Sequence, residues 1–173
     1  QQAVTQALAL KSDAIPALVL RAQIEFDRGE VETGLQQLEQ LTEQYANDPV
    51  PRLAYAKLLV EAKRYEKALG QFERALQAAP QNLDIVYALA LLNLQMKQYE
   101  AAKTHLQTLI SDSERGPEAL YYLGQVAQRQ QRWEEAVQWF QQVPDGEYWL
   151  EAQSHIASAW MRAGKRSEAR GLV

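Results

Sequence analysis

The sequence predicts an all-α chain, an α-solenoid of antiparallel helix pairs, and three observations carry that prediction. Tyr65, Tyr99, Trp133 and Arg166 stand 34, 34 and 33 residues apart, so the chain repeats itself. Each is followed three residues later by an alanine (Ala68, Ala102, Ala136, Ala169), and VETG at 31–34 is an earlier copy ending in Gly34. Four residues beyond the small residue comes Leu38, Phe72, Leu106 or Phe140, and three further on Leu41, Ala75, Leu109 or Val143. Steps of four and three keep these side chains on one helical face, and nowhere is the two-residue alternation of a strand sustained.

Taken in order, residues 1–14, ending ALALKSD, read as a lone helix at 1–11 left over from a preceding unit. Complete units follow at 15–48, 49–82, 83–116 and 117–149, and 150–173 reads as a partial unit, so both ends are expected to be cut within repeats. The first helices are apolar over about two turns: Leu53–Val60, Val86–Leu94 and Leu120–Ala127. Short turns lead into the second helices at Gly29, Lys63-Arg64, Lys97-Gln98, Gln131-Arg132 and Gly164. Gly29 and Gly164 stand where a helix C-terminus takes a left-handed residue. The six prolines are expected at helix starts or in linkers, where a missing N–H matters least.

A 34-residue helix–turn–helix of this pattern resembles the tetratricopeptide repeat family. Residues 49–82 carry the resemblance through Ala56, Tyr65, Ala68, Phe72, Ala75 and Pro80. Residues 117–149 carry it through Leu123-Gly124, Trp133, Ala136 and Phe140. Repeat 83–116 departs at Leu109, where alanine is usual, and repeat 15–48 departs at Gly34 and Arg21. The resemblance implies a right-handed superhelix whose first helices line a concave groove.

Composition narrows the chemistry. Eighteen Lys+Arg against 22 Asp+Glu leave a net charge of −4, which disfavours nucleic acid. The absence of cysteine excludes disulfides, thiolate catalysis and cysteine zinc sites. The longest apolar run, 85–92, is far shorter than the roughly 20 residues of a membrane helix, so no direct membrane insertion is expected. His105 and His155 fall in different repeats, and Ser154 beside His155 points about 100° away on a helix. Glu134-Glu135 sits in a first helical turn, which favours carboxylates for electrostatic reasons. No glycine-rich phosphate loop occurs. The reading is therefore a non-enzymatic chain with neither metal nor cofactor.

The groove positions implied by the resemblance point to Tyr87, Leu91, Leu94, Tyr121, Gln125 and Arg129 as the partner-binding set. Tyr87, Leu91 and Leu94 form one helical stripe, and Tyr121 and Gln125 repeat it 34 residues on. The bland alternative is that Tyr87 and Leu91 simply cover the core. No unit pairs Lys at its fifth position with Asn at its ninth, so the family's clamp for a C-terminal carboxylate is not expected. Of the four tryptophans, Trp133, Trp149 and Trp160 read as core or junction residues, and Trp139 faces a neighbouring unit or solvent. Val4, Leu8, Trp160 and Leu172 belong to faces that invite self-association through the ends.

Function follows as a protein–protein interaction scaffold that takes a protein or peptide partner in the groove. A narrower resemblance rests on YYLGQVAQ at Tyr121–Gln128 and QQVPDGEYWLEAQ at Gln141–Gln153. These stretches are similar to a tetratricopeptide lipoprotein on the periplasmic side of the Gram-negative outer membrane. That likeness implies an adaptor for a carboxyl-terminal processing protease acting on cell-wall hydrolases. A cytosolic or inner-membrane assembly factor, a regulatory segment of a larger enzyme and a self-assembling array would use the same fold.

Overall fold

The computed structural model describes residues 2–165 together with 167 and 169, with side chains from residue 14 onward. Among the described residues it contains helices only: α1 (Gln2–Asp27), α2 (Val31–Gln44), α3 (Pro49–Glu61), α4 (Tyr65–Ala78), α5 (Leu83–Gln95), α6 (Tyr99–Leu109), α7 (Gly116–Arg129), α8 (Trp133–Phe140) and α9 (Trp149–Arg162). The chain divides into two compact units, residues 1–85 and 86–173, with α5 starting in the first and ending in the second. In the first, α1 packs on α2 and α3, and α3 packs on both α2 and α4. In the second, α7 packs on α6 and α8, and α8 packs on α9.

The repeat residues are what the packing uses. Ala22, Ala56 and Ala90 of the first helices are fully buried, as are Ala68, Ala102 and Ala136 of the second helices. Leu38, Phe72, Leu106 and Phe140 fill the space beside them, none more than 3% exposed. Small residues let helix axes approach closely enough for one large side chain per unit to close the gap. At Gly124 the approach is close: a Cβ there would lie 2.5 Å from Cε1 of Phe140. Gly34, the departure from the usual alanine, has the same cause, because a Cβ would lie 2.6 Å from the carbonyl oxygen of Ala22.

The turns between paired helices share one geometry. Gly29, Lys63, Lys97, Gln131 and Gly164 all have positive φ, between 58° and 94°. The next N–H in each case reaches back to a carbonyl five residues earlier: Glu30 to Glu25, Arg64 to Leu59, Gln98 to Asn93, Arg132 to Ala127 and Lys165 to Trp160, at 2.8–3.0 Å. This Schellman closure satisfies carbonyls that would otherwise be orphaned at the helix end. Helix starts are capped by short polar side chains where the sequence supplies them. Asp48 Oδ1 accepts from the Val50 N–H at 2.8 Å, and Asn82 Oδ1 accepts from those of Asp84 and Ile85 at 3.0 and 3.3 Å.

Two expectations change. The lone helix at 1–11 is not separate, since α1 runs without a break from Gln2 to Asp27 and carries Pro16 in its interior. Ala14, Ala17, Leu18 and Leu20 around it favour helix, which runs on despite the one N–H that proline removes. Trp149 does not seal a junction among the described residues and stays 39% exposed. Trp139 and Trp160 do pack against the core of the second unit, and the Lys165 ammonium sits 4.9 Å from the centre of the Trp160 ring. The expectation for Val4, Leu8 and Leu172 lies outside the residues whose side chains are described.

Candidate partner-binding groove

The sequence-derived set lies in the second unit, on α5 and α7. Helical periodicity puts Leu91 and Leu94 on one stripe of α5, and Gln125 and Arg129 on the facing stripe of α7. These four line a hollow of ≈ 270 Å³ together with Gln95, Tyr122 and Val126. The two tyrosines are placed differently. Tyr87 is partly buried, its hydroxyl donates to Glu118 Oε2 at 2.8 Å, and the Arg115 guanidinium lies 5.6 Å from its ring centre.

Tyr121 is buried rather than open to the groove. It is only 7% exposed, with its ring among Tyr122, Phe140, Tyr148 and His155 at centroid distances of 5.3–5.9 Å. Its hydroxyl donates to Glu151 Oε2 at 2.8 Å and lies 3.3 Å from His155 Nε2. Tyr121 thus occupies the same register as Tyr87, but Tyr148 and α9 cover it. In its place, Tyr122 supplies the aromatic wall of the hollow. Two partly apolar neighbours in sequence, 121 and 122, leave the sequence without a signal for which one the next element covers.

A second hollow of ≈ 580 Å³, lined mostly by amide, hydroxyl and charged residues, adjoins the first through Gln125 and Arg129. Gln128, Gln131, Trp133, His155, Ser158 and Arg162 complete its lining. Trp133, expected in the core, is half-buried and forms one wall. His155 stacks on Phe140 with centroids 5.0 Å apart and planes 8° from parallel. Burial holds its pKa below the ordinary value, against the opposing pull of Glu151.

The ionisable groups are structural in their pairings. Burial first, and then Glu118, raises the phenol pKa of Tyr87, Tyr122 and Tyr148, the last to about 12. These hydroxyls are therefore hydrogen-bond donors at neutral pH rather than nucleophiles. Glu135 hydrogen-bonds Lys103, which holds its carboxyl below the usual range, and it also faces Arg132 at 3.5 Å. Glu134 pairs with Lys165. Among the described residues no cluster of three or more His, Asp or Glu could hold a metal, and no helix is long and apolar enough to cross a membrane.

Tetratricopeptide repeat models match this chain at residues 19–82 and 87–149, and a second such model matches 59–114. The chain belongs to the tetratricopeptide repeat family. It is, like that family, a protein–protein interaction scaffold. Solved structures share the fold. MamA from Desulfovibrio magneticus RS-1 matches with a TM-score of 0.75 at 21% identity, over 91% of this chain and 89% of that one. YrrB, described as a TPR protein with an unusual peptide-binding site, matches with a TM-score of 0.73 at 23% identity, over 97% and 87%. Comparison with curated protein sequences returns no match.

Proposed function

We propose that this tetratricopeptide scaffold binds an extended segment of a partner protein in the hollow between α5 and α7. The observation that carries the reading is the convergence of Leu91, Leu94, Tyr122 and Val126 with the polar ends of Gln95, Gln125 and Arg129. An apolar floor with a few amide and guanidinium groups suits a peptide, which offers apolar side chains and a polar backbone together. The peptide-binding site named for the fold relative YrrB supports the same use of the architecture.

The partner reading is a carboxyl-terminal processing protease, with this chain as its adaptor on the periplasmic side of an outer membrane. Its support is the likeness of Tyr121–Gln128 and Gln141–Gln153 to the lipoprotein adaptor family. The test mixes the purified chain with the carboxyl-terminal processing protease of the same genome and follows complex formation by calorimetry. A Leu91→Ser, Leu94→Ser double variant should weaken binding by about thirtyfold, the effect of losing a hot-spot contact of about 2 kcal/mol, with its melting temperature followed alongside. No complex with the protease removes the adaptor reading. A complex that ignores both leucines places the contact outside the hollow.

A further inference from the structure

The polar hollow framed by α7, α8 and α9 has a charge that its surroundings do not explain. In a chain of net charge −4, its lining includes Arg129 and Arg162 and no carboxylate. Among the described residues neither guanidinium is in an ion pair, whereas Lys103, Arg115, Arg132 and Lys165 of the same unit all sit against Asp or Glu. Gln125 and Gln131 add amide donors, Ser158 a hydroxyl, and Trp133 a flat wall. Gln128 already gives its amide to the His155 carbonyl at 3.3 Å, which holds that side chain at the edge of the hollow.

Unpaired guanidiniums beside amides suit oxygen anions. The planar fork matches a carboxylate, and both guanidiniums are exposed, so an incoming segment can reach them. Since Gln125 and Arg129 line both hollows, a segment lying in the α5–α7 hollow runs directly into this one. We infer that the α7–α9 hollow receives acidic side chains of the bound segment, so that the scaffold selects a partner segment in which apolar residues are followed by Asp or Glu. This rests on the peptide-binding reading of the neighbouring hollow and adds a charge requirement to it.

Fluorescence anisotropy on the full chain tests it with three labelled peptides. The first is N-acetylated and C-amidated and alternates leucine with glutamate. The second carries glutamine in place of glutamate, and the third is the glutamine peptide with a free carboxyl terminus. The glutamate peptide should bind about tenfold more tightly than its amidated glutamine counterpart at low salt, and the advantage should shrink at about 0.5 M salt. R129Q and R162Q should each reduce that advantage, read as the ratio of glutamate-peptide to glutamine-peptide affinity, and the double variant should bring the ratio to about one, with the melting temperature unchanged. Equal binding of the two amidated peptides, or an advantage that survives the double variant, overturns the inference. So does a gain confined to the free-carboxyl peptide, which would assign the arginines to a chain terminus. If the glutamine peptide binds in a Leu91- and Leu94-dependent way while glutamate adds nothing, only the acidic requirement falls. If neither amidated peptide binds at about 1 mM, the peptide-binding reading falls with it.

Discussion

At the scale of single residues, His155 shows how one side chain can be tied to both packing and the groove. Its ring stacks on Phe140 of α8, meets the Tyr121 hydroxyl of α7, and is followed on its own helix by the hollow-lining Ser158 and Arg162. Burial lowers its pKa in the folded chain, and Glu151 opposes this only in part. The unfolded chain therefore takes up the proton first as pH falls through the ordinary histidine value of about 6.5. In that window the unfolded state binds more protons, so stability declines with falling pH, and the decline ends once the folded histidine is also protonated. Thermal melts between about pH 7.5 and 5 should show a steeper loss for the native chain than for His155→Gln, because only the native chain titrates there at this position. Parallel melting curves for the two would show that the ring is as well solvated in the folded chain as in the unfolded one.

At the scale of elements, the five closures after the first helices are a set with one outlier property. Glycine occupies the left-handed position at 29 and 164, but lysine or glutamine holds it at 63, 97 and 131. A side chain in this conformation costs roughly 1 kcal/mol through the clash of Cβ with the backbone. The hydrogen bonds from Arg64, Gln98 and Arg132 back to Leu59, Asn93 and Ala127 hold the conformation nonetheless. Lys63→Gly, Lys97→Gly and Gln131→Gly should each raise stability by up to about 0.5 kcal/mol, the relief of strain being largely offset by the freer unfolded chain. Chemical denaturation measures this. A loss of stability in all three would mean that the strain at these turns is smaller than the entropy glycine adds.

At the scale of the whole molecule, each unit of a repeat chain buries apolar surface mainly against its neighbours, so exposed apolar side chains collect on faces without a neighbour. Leu150 is 73% exposed and Met161 66% exposed, both on α9, and Leu20 on α1 is 58% exposed. Such surface promotes association when it is contiguous. Sedimentation of the chain should show concentration-dependent self-association that a Leu150→Lys, Met161→Lys double variant suppresses while leaving helix content intact. Association unchanged by the double variant would shift its origin to another face.

How much of this was legible beforehand depends on which physical constraint each feature obeys. The helix pairs and their 34-residue spacing follow from periodicity, because a small residue and a large one recurring four apart share one helical face, whereas the contact of Phe140 with Gly124 on the partner helix is set by packing. The carboxylates of Glu134 and Glu135 at the start of α8 were equally legible from helix electrostatics. Periodicity says which side chains share a face, however, and not which neighbour covers that face. Tyr87 and Tyr121 are equivalent in sequence, yet the rings of Tyr148 and His155 pack on Tyr121, and the aromatic wall of the groove passes to Tyr122. The continuity of α1 through Pro16, the exposure of Trp149 and the gathering of Arg129, Arg162 and Trp133 around one hollow are of the same kind. From α2 onward the sequence by itself determined the elements and their buried faces, since those depend on local spacing. Only tertiary packing decided the surface left open for a partner, because that depends on which side chains the next helix covers.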